Sequence, residues 1–113
     1  MLSFEFNFKD YSKMKTTIEE LDGKYIATLE GELDTAAAVE AEKVLQPLYK
    51  TDGKDVIVEC KDLEYIASSG LRILLSLLKG SMASGSKVTL RNVNDDIKNV
   101  FKLTGFISLF NFE

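Results

Sequence analysis

With 113 residues, 45% hydrophobic and 28% charged, the chain has the length and composition of one ordinary globular domain with a modest core. Its net charge of −4 argues against nucleic acid or an anionic membrane as the main partner, and no apolar run reaches the roughly 20 residues that span a bilayer. Without histidine it lacks the commonest general base, and its one cysteine, Cys60, allows no internal disulfide and leaves a metal only carboxylates and that thiol.

The chain opens with Phe4, Phe6 and Phe8 alternating with polar residues, which predicts a short strand over residues 3–8. Residues 1–13 read either as an extension upstream of a start at Met14, or as an extra edge strand or an arm that pairs with a second copy. Three phenylalanines on one face favour burial. The first residues lack the basic end and apolar block of a signal peptide, so the cytoplasm is the expected location.

Residues 15–21 and 24–30 flank Asp22-Gly23, a strong signal for a two-residue hairpin. Gly31-Glu32-Leu33-Asp34 follows, and Asp34 or Thr35 caps a helix over about 35–50. Ala37, Ala41, Val44, Leu45 and Leu48 form its expected inner stripe, and Pro47 conflicts with its last turn. After an Asp52-Gly53 turn, residues 55–60 read as a strand, 61–67 as a loop with an extended end, and 69–83 as a helix. Leu71, Leu74, Leu75, Leu78 and Met82 are expected to face inward, with Gly85 as the stop. A strand over 87–92 precedes a third helix, capped by Asn94 or Asp95, apolar at Ile97, Val100, Phe101 and Leu103, and closed by Gly105. Residues 106–112 read as the last strand. The fold class is α/β, a mixed sheet in the order β-β-α-β-α-β-α-β, with right-handed parallel crossovers after an antiparallel hairpin.

One stretch carries most of the functional signal: Tyr65-Ile66-Ala67-Ser68-Ser69-Gly70-Leu71, where an extended segment meets a strongly apolar helix. A serine there is a plain helix cap, yet the same position leaves a hydroxyl open to modification and tolerates a dianion. Ser69 reads as a structural partner, capping or packing under the loop, and Gly70 as a point of close approach for backbone or partner. Arg72, Ser76 and Lys79 lie four, eight and eleven residues after Ser68, which makes a polar stripe along the helix. That stripe is a solvated face or a docking strip, and Arg72 is placed to pair with a phosphate on Ser68.

The Ser-Ser-Gly-Leu and Gly-Glu-Leu-Asp segments resemble two signatures of the STAS domain family, the bacterial anti-sigma factor antagonists, and the resemblance covers roughly residues 15–112. It implies a single STAS-type domain over 14–113, with Ser68 as the regulatory phosphorylation site and Asp34 beside it in kinase contact. It also implies partners: an anti-sigma factor with a histidine-kinase-like ATPase fold, and a PP2C-type phosphatase that resets the switch. The sequence departs from the family pattern at Ala67, where many phosphorylated members carry aspartate. That departure favours the alternative, a non-phosphorylated STAS subunit docked on an ATP-binding-cassette lipid-transport complex. No Walker loop, dinucleotide fingerprint or Cys-x-x-Cys is present, so neither a cofactor nor an enzymatic reaction is expected.

Overall fold

The computed structural model describes residues 14–113, so the expectations for residues 1–13 lie outside the described residues. Strands β1 (Met14–Leu21) and β2 (Lys24–Leu33) pair antiparallel from Leu21↔Lys24 to Met14↔Gly31. Asp22 and Gly23 join them with φ of 54° and 77°. Two positive φ values match the turn to the twist of the strands, which is why Asp-Gly suits this loop.

Asp34 caps α1 (Thr35–Leu45), its Oδ1 accepting a hydrogen bond from the Ala37 N–H at 2.8 Å. The helix ends five residues before the expected limit: Pro47 has no N–H to continue it, and the chain tightens into a 3-10 turn over Gln46–Tyr49. Ala38, Ala41 and Leu45 are buried and Leu48 extends their stripe, while Ala37 is only partly buried. Val44 is exposed instead of inward, because it stacks one turn above Glu40 on the outer face.

The next segment corrects the expected order by one strand. After β3 (Val56–Glu59), residues Leu63–Ile66 form β4, and α2 (Ser68–Ala83) follows at once. The chain then runs through β5 (Val88–Arg91), α3 (Asp95–Thr104) and a two-residue β6 (Asn111–Phe112). Most of the expected last strand is turn: the Phe106 and Ile107 N–H groups donate to the Phe101 carbonyl, folding the chain back on α3. Asn94 caps α3 through the Ile97 N–H at 2.8 Å, and Gly105 ends it at φ 80°.

The sheet order is β1-β2-β3-β5-β6, with β4 also beside β2, and every pair except β1–β2 is parallel. Ala27, Leu29, Val56, Val58, Val88 and Leu90 point to one face and are buried in a single core with residues of all three helices. The alternate residues, Ile26, Thr28, Ile57, Glu59, Thr89 and Arg91, are half-buried on the other face. Helix α2 buries a wide arc: Leu71, Leu74 and Leu78 as expected, and also Ile73, Leu77 and Ser81. Two residues of the expected inward stripe depart from it: Leu75 is only partly buried and Met82 is 65% exposed. Leu103, apolar in the pattern of α3, is 80% exposed.

Candidate functional site

The short strand β4 builds the site. It pairs parallel with the end of β2, Gly31↔Leu63, Glu32↔Tyr65 and Leu33↔Ile66, across an irregularity between Gly31 and Glu32. The Gly31 N–H donates to the Asp62 carbonyl and the Ala67 N–H to the Leu33 carbonyl, both at 2.9 Å. Asp34 and Ala67, the residues that follow the two strands, therefore sit side by side. Helices α1 and α2 begin next to each other at the carboxyl edge of the parallel strands, the edge where open α/β sheets bind their ligands. The Asn94 side chain donates from Nδ2 to the Leu63 carbonyl at 3.0 Å, which ties the start of α3 to the same edge.

Ser68 is exposed and is the first residue of α2. It is not the helix cap. Ala67 holds the cap position in extended conformation (φ −89°, ψ 170°) and makes no side-chain cap bond. The carbonyl of Ala67 accepts from the Leu71 N–H at 3.0 Å, but its methyl group has nothing to offer the first free N–H groups of the helix. The hydroxyl of Ser69 is buried and has no hydrogen-bond partner among the described residues. Gly70 is buried too: a Cβ there would lie 2.8 Å from Leu33 Cγ and 2.9 Å from Ile66 Cγ1. Its lack of a side chain lets α2 start directly on the ends of β2 and β4, so what it contributes at this edge is position.

Asp34, Ser68, Ser69 and Gly70 are thus brought together. Arg72 is exposed one turn further along α2 and Lys79 is exposed near its far end. Ser76 is half-buried beside Tyr49, to one side of the line through Ser68, Arg72 and Lys79. Tyr65, 51% exposed and paired with Glu32, stands at this edge and was not singled out from the sequence. The only signal for it was an aromatic three residues before the serine pair.

This edge presents an exposed serine hydroxyl beside two helix starts. The Ser68 hydroxyl has no histidine to activate it, since the chain contains none. Burial, followed by the charge of Glu59, pushes the Cys60 thiol up to about 12, so it stays protonated and unreactive at neutral pH. Among the described residues no three acidic, histidine or cysteine side chains converge on a metal site. Nor is any helix among them long and apolar enough to cross a membrane.

Residues 15–113 match the STAS domain family. BtrV of Bordetella bronchiseptica, named as a candidate anti-sigma factor antagonist, is 31% identical over 97 residues, covering 86% of this chain and 84% of that one. The anti-sigma-B factor antagonist of Staphylococcus aureus is 30% identical over 88 residues, covering 78% and 82%. The Bacillus cell fate determinant SpoIIAA, in its phosphorylated form, superposes with a TM-score of 0.68 at 19% identity, covering 88% and 91%, which shows a shared fold. Sequence signatures, sheet topology and these relatives converge: the chain belongs to the STAS domain family.

Proposed function

We propose that this protein is an anti-sigma factor antagonist whose binding is switched by phosphorylation of Ser68. It acts by binding and not as an enzyme, in the cytoplasm. Its partner is an anti-sigma factor with a histidine-kinase-like ATPase fold that also modifies Ser68, and a PP2C-type phosphatase reverses the step. The observation that carries this reading is the Ser68 hydroxyl, exposed at the first position of α2 and next to Asp34 at the edge where two helices begin. The relatives named as anti-sigma factor antagonists support it.

A phosphate at this position adds about −2 charge close to Asp34, enough to repel and desolvate a docked surface. The demand on it is small, since a tenfold loss of affinity needs only about 1.4 kcal/mol. One observation favours a second reading. Ala67 provides no carboxylate before the serine, which suits a STAS subunit that grips an ATP-binding-cassette ATPase without modification.

Two variants separate the readings. Ser68→Asp should bind the anti-sigma factor of the same organism at least about tenfold more weakly than wild type. Ser68→Ala should bind like wild type and accept no phosphate. Equal affinity of wild type and Ser68→Asp in titration calorimetry would argue against the switch.

A further inference from the structure

Strand β1 closes one side of the sheet, and its outer edge has no neighbour among the described residues. The two-residue turn bonds Leu21 to Lys24 and the pairing alternates from there, so Leu21, Glu19, Thr17 and Lys15 turn their backbone N–H and C=O groups to β2. Thr16, Ile18 and Glu20 turn theirs outward, where no described backbone group meets them. The side chains of Met14, Thr16 and Ile18 lie on the helix side of the sheet and are half-buried, while Lys15, Thr17 and Glu19 are exposed on the other face.

The core is incomplete above this edge. Helix α1 lies across β1 and β2. On one flank of α1 Glu42 acts on Tyr49, which stands beside Ser76 of α2. Ala37 and Val44, seven residues apart, lie on the opposite flank and overhang β1. Ala37 is only partly buried and Val44 is 38% exposed. Met14, Ile18, Ala37 and Val44 thus form an apolar step beside unpaired backbone, an edge of the kind that takes a further strand.

We propose that residues 3–8 of the same chain cover this edge, pairing antiparallel with β1 through a loop over residues 9–13. The chain that leads into Met14 carries Phe4, Phe6 and Phe8 at every second position. A five-residue connection falls within the hairpin range and sets Phe8 opposite Met14, Phe6 opposite Thr16 and Phe4 opposite Ile18. Opposed residues share a face, so all three rings fall on the helix side, over the apolar step. Ser3, Glu5 and Asn7 fall on the other face with exposed Glu19, Thr17 and Lys15. A slip of one residue would send every ring to the polar face, so the pattern fixes the register. A short connection presents the segment to its own β1 at an effective concentration on the order of millimolar, which favours this edge over that of a second copy. The loop then lies at the carboxyl edge near Asp34, because Met14 is opposite Gly31 close to the end of β2. The inference is independent of the switch at Ser68.

The test is amide hydrogen exchange read by NMR on the full chain, wild type against the triple variant Phe4→Ser, Phe6→Ser, Phe8→Ser. The Thr16 and Ile18 amides should exchange at least about tenfold more slowly in wild type than in the variant. The Thr17 and Glu19 amides, bonded to β2, stay protected in both and serve as the folding control. Wild type should also show contacts between the Phe4 ring and the Ile18 methyl groups, a reading that stands even if the variant does not fold. Fast exchange at Thr16 and Ile18 in wild type, with Thr17 and Glu19 protected, would overturn the proposal. Ring contacts to Ile26 or Ile57, on the opposite face, would overturn the register and the covered step with it. Protection that falls on dilution, with a dimer in light scattering, would assign the edge to the segment of a second copy and overturn the pairing within one chain.

Discussion

The two ends of helix α2 are built on opposite principles. At its start the cap position is an alanine, Ser68 is exposed, and the nearest packing on Gly70 is the side chains of Leu33 and Ile66. At its far end a Cβ on Gly80 would lie 2.4 Å from the Tyr49 carbonyl oxygen, so the helix rests directly on the backbone of the 3-10 turn. There the hydroxyls of Thr51 and Ser86 are buried and bonded to each other, Ser84 Oγ donates to the Gly80 carbonyl at 3.2 Å, and Gly85 turns the chain away at φ 81°. One end is fixed by backbone contact and one buried hydroxyl pair. The other is left short of a cap, with Ser68 exposed to solvent. Stability and accessibility are divided along a single helix, and the divided ends predict different responses to substitution.

The largest effect belongs to the fixed end. Gly80→Ala should cost about 3 kcal/mol, because the clash is with backbone that has no rotamer to relieve it. Gly70→Ala should cost less, about 1–2 kcal/mol, because Leu33 and Ile66 can adjust as side chains. Urea unfolding of both variants checks the order, and equal losses would remove the contrast between the ends.

Next comes the open end. Ala67→Asp supplies the missing cap and should stabilise the fold by about 1 kcal/mol, a rise in Tm of several degrees by thermal unfolding. No change in Tm would mean that the free N–H groups of the helix are already satisfied by water at no cost.

The smallest effect lies on the half-buried sheet face. Burial pushes the pKa of Glu59 up, but Arg91 Nε at 2.7 Å, Asn92 Nδ2 at 3.0 Å and the Lys61 N–H at 3.0 Å outweigh it and hold the pKa below the usual carboxylate value. The folded state is therefore favoured above the unfolded pKa, near 4.5, and this contribution is lost as pH falls through the lower folded value. Glu59→Gln should reduce stability at neutral pH by less than about 1 kcal/mol and flatten the acid limb of stability against pH.

Much of this could be read in the sequence because local chemistry and tertiary structure agree. Asp22-Gly23 demands positive φ and receives it, Asp34 and Asn94 cap the helices they precede, and Pro47 marks the end of α1. β4 was hidden because its buried residues, Leu63 and Ile66, are three apart. A strand with an irregular partner loses the alternation of two by which strands are found. The cap at Ser68 was misplaced by one residue, since a serine at the junction resembles a cap whether or not the chain turns there. Met82 shares the apolar pattern of α2, yet it lies over Lys79 and Arg72 on the outer side, and composition alone does not separate a buried methionine from an exposed one. The candidate site residues were visible as types at spacings; that Asp34 and Ser68 lie at one edge depends on the pairing of Leu33 with Ile66.

The central claim, that the open end of α2 is a phosphorylation switch, is tested most directly by capturing the protein from its own host. Mass spectrometry then reads both the co-purifying proteins and the peptide that contains Ser68. The account predicts a histidine-kinase-like ATPase in the complex and a phosphate on Ser68 in a fraction of the protein, absent from Ser68→Ala. A transporter ATPase in the complex with Ser68 unmodified would contradict it and leave the uncapped helix as a docking edge alone.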